Sequence, residues 1–318
     1  MLPLLIIALA LAVTGLIAEF ASNYHTQVRL IRKFFRIKDV AINEYIKQTA
    51  LNNNIDYMSA FPGGTLDIYS SNSATEPQPV LLWVHGGGYV GGDKTCIVPW
   101  AHETAAKLKI AVISMNYCLA PEHHYPVPLL QICEALRFLK NHESEYNLDT
   151  ARIFIGGDSA GAQLTAQFAA LVCNKELQTR MKITPPISAN DLRGILLCCG
   201  FYNMDTVMKS HFPAMKTFLW AYTNKKKIGN FDKKDDMSAI KYVNSDFCNV
   251  YLTCGNADPF IDQAHEMSEI LRAANISREI YLPAPKGKKL GHEYQFDTTT
   301  EEGKIALDKA VNFIAARL

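Results

Sequence analysis

The sequence predicts an α/β fold, a mostly parallel sheet covered by helices on both faces, and three observations carry that expectation. Short, almost wholly apolar runs recur along the chain, separated by longer amphipathic stretches, as expected of strands buried on both faces and joined by helical crossovers. One such run ends in a serine bracketed by glycines, Gly157-Asp158-Ser159-Ala160-Gly161, and leads into an Ala-rich helical stretch. Another ends in His85-Gly86-Gly87-Gly88. The length, 318 residues, suits one domain of this class with a large core.

The apolar runs are Val80–Val84, Ile110–Met115, Arg152–Ile155, Gly194–Cys199, Val250–Thr253 and Glu279–Leu282. Between them the apolar positions recur at helical spacing, notably over Pro126–Asn141, Ala160–Cys173 and Ile261–Ala274, and a last helix is predicted over Glu302–Ala316. Two earlier strands, Ile55–Ala60 and Thr65–Ser70, flank a Pro62-Gly63-Gly64 turn. The alternation breaks once, in an insert over 201–249 rich in Phe, Met, Trp and Tyr. A segment that long inside an α/β unit points to a lid over a site, the alternative being a helical pair packed on the body.

Net charge is +1 and the basic residues are dispersed apart from one stretch near the N-terminus, which leaves no basic face for a nucleic acid. The eight cysteines include no CxxC pair. Cys198 and Cys199 sit in an apolar run, so the cysteines are expected as buried free thiols, favouring a reducing compartment, with no metal site. Leu2–Ala18 is an apolar, charge-free run with no Lys or Arg before it. It is followed by Arg29, Arg32, Lys33, Arg36 and Lys38. That pattern favours an uncleaved membrane anchor with the body on the cytoplasmic side; a cleaved signal segment, leaving a secreted or periplasmic protein, and a buried cap helix are the alternatives. Val28–Lys38 makes a basic amphipathic helix, fit to lie on a membrane or to pack over the site. The expected organisation is therefore 1–21 as anchor or signal, 22–54 as cap or juxtamembrane helices, and 55–318 as the catalytic domain with the 201–249 insert as part of its cap.

A serine at a sharp strand-to-helix turn needs tiny residues two places before and after it, which Gly157 and Gly161 supply. That context makes Ser159 the candidate nucleophile. Acyl transfer develops charge on an oxygen, and the closely approachable amides of Gly87, Gly88 and Ala160 are the candidate oxyanion donors. His85 is expected to anchor the loop. A base is needed to activate the serine and an acid to orient that base. In this architecture they follow the nucleophile in the order acid, base. Asp258 follows the Val250–Thr253 strand, and His292 is the one histidine after the last predicted strand. Tyr89, Asp158, Phe201, Phe218 and Tyr294 are the candidate substrate contacts.

Taken together, His85-Gly86-Gly87-Gly88, Gly157-Asp158-Ser159-Ala160-Gly161, Tyr117-Cys118-Leu119-Ala120-Pro121-Glu122 and Ala257-Asp258-Pro259-Phe260-Ile261-Asp262 resemble the hormone-sensitive-lipase-like esterases of the α/β-hydrolase superfamily. The resemblance implies an eight-stranded sheet, a cap made from the N-terminal helices and the insert, and hydrolysis of carboxylic esters without a cofactor. Three departures stand out. Cys118 replaces the family's usual arginine, Gln131 stands where an aspartate is common, and His292 is followed by Glu293-Tyr294 rather than Gly-Phe. The first two remove a supporting salt bridge, and the third alters the product side of the pocket. The expected substrate is a small-molecule ester with an uncharged short or medium acyl chain, or an aryl ester. An amidase or peptidase sharing the same machinery, and a non-catalytic binding member of the fold, are the alternatives.

Two carboxylates compete for the acid position. Asp262 falls in the first turn of a predicted helix, where the dipole alone accounts for it. Asp258→Asn is therefore expected to lower kcat by about a thousandfold or more, because an amide favours the wrong imidazole tautomer. Asp262→Asn should cost little activity and about 1 kcal/mol of stability. Steady-state kinetics with matched unfolding curves decide between them, and the reverse ranking would move the acid to Asp262.

Overall fold

The computed structural model describes residues 23–35 and 43–318. The strands are β1 (Thr49–Asp56), β2 (Thr65–Ser71), β3 (Gln78–Val84), β4 (Ala111–Met115), β5 (Leu148–Asp158), β6 (Leu192–Cys198), β7 (Val250–Thr253) and β8 (Arg278–Tyr281). They form one eight-stranded sheet in the order β1-β2-β4-β3-β5-β6-β7-β8. β1 and β2 pair antiparallel, as do β2 and β4, and the pairs from β4 to β8 are parallel. The longer helices are α1 (Tyr24–Phe34), α2 (Val98–Leu108), α3 (Val127–Asn141), α4 (Ala160–Cys173), α5 (Lys175–Met181), α6 (Met215–Thr223), α7 (Ile261–Ala273) and α8 (Glu301–Ala315).

Successive residues of a strand face opposite sides, and the core divides accordingly. Val80, Leu82, Val84, Ile113, Ile155, Leu197 and Leu252 point into the layer that holds α3, α4 and α7. Leu81, Trp83, Val112, Phe154, Leu196 and Tyr251 point into the layer of Trp100 and Ala101 from α2 and Leu307, Phe313 and Ile314 from α8. Near-continuous apolar strands follow from burying both faces. α4 is buried along almost its whole length, which explains an Ala-rich helix with little amphipathic contrast.

Two elements differ from expectation. The first strand is Thr49–Asp56 rather than Ile55–Ala60. Its sequence, TALNNNID, lacks alternation because it is an edge strand exposed along most of its length, and a bulge between Asn52 and Ile55 breaks its register. The segment after it turns through Pro62-Gly63-Gly64 and closes with the Tyr57 amide donating to the Gly64 carbonyl at 3.0 Å. The basic helix begins at Tyr24, four residues before the expected Val28, and Asn23 caps it. It packs on α6 of the insert: Tyr24 stacks on Trp220 at 4.9 Å, Gln27 bonds the Thr217 hydroxyl, and Val28 is buried. The expected anchor at 2–18 lies outside the described residues, and among those described no helix is long and apolar enough to cross a membrane.

On β2, Leu66 and Ile68 face one layer while Asp67 shares the other face with Tyr69. Asp67 is buried there and paired with Lys94 at 2.6 Å, their side chains only 4% and 6% exposed. Lys94 Nζ also donates to Asn54 Oδ1 at 2.9 Å, and the Asn54 amide donates to Asp67 at 2.7 Å. The pair ties the turn after the Gly-rich loop to the edge strands. Lys94→Met strands a buried carboxylate and should cost about 3–5 kcal/mol in urea unfolding. The Asp67→Leu/Lys94→Met double variant should recover much of that loss. A single-variant loss below about 1 kcal/mol would mean water reaches the pair.

Candidate active site

The strand order reverses between β3 and β5: the chain leaves β3 toward β4 on one side and continues from β5 toward β6 on the other. Crossovers diverge at such a point and leave a crevice at the carboxyl ends of the two strands. The Gly-rich loop leaves the end of β3 and Ser159 leaves the end of β5, so the topology brings them together.

Ser159 has φ +51° and ψ −117°, a conformation side-chain-bearing residues rarely adopt, and its amide donates to the Cys198 carbonyl at 2.8 Å. The turn is tight enough that a Cβ on Gly161 would sit on the Val84 carbonyl. Ala160 opens α4 directly after the serine, at the helix's positive end. Across the crevice, Gly87 takes φ +105° and Gly88 φ +60°, lifting the loop over the serine. Among the described residues, the amides of Gly87, Gly88 and Ala160 have no protein acceptor, so all three are free to bind an anion. His85 is fully buried, donates from Nδ1 to the Gly86 carbonyl at 2.7 Å and stacks on Tyr117 at 4.3 Å. Burial lowers its pKa and keeps it neutral, as a loop anchor.

Asp258 lies in the loop after β7 and is buried, whereas Asp262 is exposed in the first turn of α7. Asp258 accepts the Phe260 amide at 2.8 Å and, through Oδ2, Nδ1–H of His292 at 2.8 Å. That bond fixes the tautomer and leaves Nε2 as the basic nitrogen. Burial by itself would lower the His292 pKa. The hydrogen bond and charge of Asp258, helped by Glu293 and Asp158, outweigh it and hold the imidazole above its ordinary value. Cys199 stands beside this pair, its Sγ bonded to Gln295 at 3.1 Å.

A cavity of about 140 Å³ is lined by Gly87, Gly88, Ser159, His292, Glu293, Phe201 and Phe218, with Phe35, Phe212, Met215 and Phe260 completing it. Phe201 and Phe218 thus stand where expected. Three other expected contacts do not reach its wall. Tyr89 is fully buried, donates to Gln163 Oε1 at 2.7 Å and stacks on Tyr222 at 4.0 Å. Asp158 points beneath the loop, its Oδ1 accepting Trp83 Nε1–H at 2.9 Å and its Oδ2 the Gly86 amide at 2.8 Å. Tyr294 turns inward and shares a 2.6 Å hydrogen bond with Thr253. Of the wall residues not singled out from sequence, Phe212 lies in the insert among many aromatics and Phe260 lies two residues after Asp258. Nothing local distinguishes either, and they meet by stacking at 4.5 Å beside His292.

Where an arginine–aspartate bridge is usual in the resembled family, a neutral link stands instead: the Cys118 amide donates to Gln131 Oε1 at 2.6 Å. The ion pair in this region comes from α1. Arg32 holds Glu122 with two hydrogen bonds, of 2.8 and 2.5 Å, and donates to the carbonyls of Val90 at 2.8 Å and Ala120 at 2.9 Å.

A family model described as alpha/beta hydrolase fold matches residues 81–284. Esterase LipI of Mycobacterium tuberculosis is 37% identical over 91 residues, 29% of this chain and 28% of that protein. Arylacetamide deacetylase of Oryctolagus cuniculus is 31% identical over 121 residues, 35% of this chain and 30% of that protein. The aligned stretch is thus less than a third of the length of either curated relative. Among solved structures, esterase B of Lactobacillus rhamnosis superposes with a TM-score of 0.73 at 19% identity, over 97% of this chain and 96% of that one, a likeness of fold. The matched segment runs from β3 to the end of the sheet and carries both the Gly-rich loop and the serine turn, and the chain belongs to the α/β-hydrolase fold family, in its hormone-sensitive-lipase-like group.

Proposed function

We propose that the chain is a serine carboxylic-ester hydrolase working through an acyl-enzyme. The observation that carries this is the 2.8 Å bond between His292 and buried Asp258, on a histidine that shares a small cavity with the strained Ser159. In this mechanism Nε2 of His292 takes the Ser159 proton as Oγ attacks the ester carbonyl. Asp258 stabilises the imidazolium, and the amides of Gly87, Gly88 and Ala160 receive the oxyanion. The imidazolium then protonates the departing alcohol, and a water, deprotonated by the same nitrogen, releases the acid. The 201–249 insert and α1 serve as the cap, since Met215 and Phe218 from one and Phe35 just beyond the other wall the cavity. A space of about 140 Å³, below the roughly 300 Å³ at which drug-sized sites begin, favours short acyl groups. Membrane association through the apolar run 2–18 is part of the proposal and rests on that sequence alone.

Ser159→Ala should reduce turnover of p-nitrophenyl acetate and butyrate by several orders of magnitude and abolish labelling by a fluorophosphonate, with an unchanged unfolding curve. Retention of more than about a tenth of the activity would remove Ser159 as nucleophile. A matching panel of anilides tests the amidase alternative, which the relative named arylacetamide deacetylase brings into play.

The pH profile supplies a second check. His292 must be neutral to act as base, and its pKa is held above the ordinary imidazole value. Activity is therefore full at higher pH and lost as pH falls through that raised pKa. The acid limb of kcat/KM should lie above that of free imidazole and move downward in Asp258→Asn, where the carboxylate charge is gone. A limb unmoved by that substitution would mean another group titrates.

A further inference from the structure

We propose that Glu293 makes this a site for esters of cationic alcohols, in which the aromatic wall and the Glu293 carboxylate together receive a quaternary or protonated amine on the departing group. The proposal rests on the ester-hydrolase reading above and names its substrate class.

Glu293 follows the base directly and has φ +63°, a conformation glycine adopts freely and a glutamate does not. The side chain is half-buried, and the residue lines the cavity with Ser159, Gly87 and Gly88. Its Oε1 lies 3.6 Å from Nε2 of His292. Nε2 is the atom that hands a proton to the leaving oxygen, so a carboxylate beside it faces the alcohol half of the ester rather than the acyl half. The rest of the wall is Phe201, Phe212, Phe218 and Phe260 with Met215, and among the described residues no lysine or arginine lines it. Aromatic faces around one carboxylate are the arrangement that recognises alkylammonium groups.

The charge state supports this. Burial, with the Asp158 charge next to it, pushes the Glu293 carboxyl up to about 7. Burial raises Asp158 as well, but the bonds it accepts from Trp83 and Gly86 favour its charged form. The groups facing Glu293 are Asp158, His292 and Asp258, with the thiols of Cys96 and Cys198 nearby. A bound cation favours ionised Glu293, so preference for it should grow as pH rises through 7. Titration of His292 acts on every ester alike and cancels in a ratio of two substrates.

The test compares butyrylcholine with its carbon isostere, 3,3-dimethylbutyl butyrate. In the full-length protein kcat/KM should favour the cationic ester by about tenfold at pH 8, less at pH 6, and the ratio should fall toward one in Glu293→Gln. Tetramethylammonium should slow fluorophosphonate labelling of Ser159 in the wild type and not in Glu293→Gln. A ratio near one with the neutral ester turned over, or labelling indifferent to tetramethylammonium, overturns the cationic site and leaves the esterase standing. A ratio unchanged in Glu293→Gln also overturns it. Failure of both esters together with absence of labelling removes the esterase reading, and this inference with it.

Discussion

One buried carboxylate holds the two halves of the site in register. Asp158 ends β5 immediately before Ser159, and its oxygens take the Gly86 amide of the loop and the indole N–H of Trp83 on β3. Trp83 in turn rests on Trp100 at 4.9 Å and on Phe296 at 5.9 Å, within the apolar layer beneath the sheet. The relative position of Ser159 and the candidate oxyanion amides is thus referred to the core rather than to flexible loop contacts. Such positioning matters because oxyanion donors act only at well-defined distances. It also explains why Asp158 points beneath the loop and not into the cavity.

A second constraint acts through close approach. The turn at Ser159 requires the α4 backbone to pass over the end of β3, so Gly161 must offer no side chain to Val84. Where backbones touch in this way the geometry is set by hard contacts, and the strained φ of Ser159 persists because its surroundings leave it no relaxed alternative. The wall opposite is soft by comparison: phenylalanines from the insert and from the loop after β7, with Phe212 stacked on Phe260, tilted against Phe218 and edge-on to His292.

The central strands and the helices between them were legible because their periods are strong. Ala160–Cys173 runs over the expected residues, and β7 does too. The triad candidates were legible through local context, as each follows a strand in the order the architecture imposes. What escaped was non-local or edge-bound. β1 carries no apolar alternation because it is an exposed edge. Tyr89 and Tyr294 looked like pocket residues from their neighbours in sequence, yet each turns its hydroxyl into the core to find a partner there. Arg32 and Glu122 are separated by 90 residues, and no pattern in either segment signals the other. Glu293 was visible as a departure from the resembled family, but its meaning depends on Asp158, which is distant in sequence and adjacent in space.

The clamp made by Arg32 has a consequence for how the protein is built. α1 leaves the ribosome early, but its anchoring partners, the carbonyls of Val90 and Ala120 and the carboxylate of Glu122, emerge much later. The α6 surface on which it packs, with Trp220 and Thr217, comes later still. A helix of 11 residues is marginal alone in water. During synthesis this amphipathic, basic segment must therefore wait without its tertiary partners while more than half the chain is made. α1 is thus made well before the segments it docks on, and closing the wall of the candidate site becomes a late event in folding.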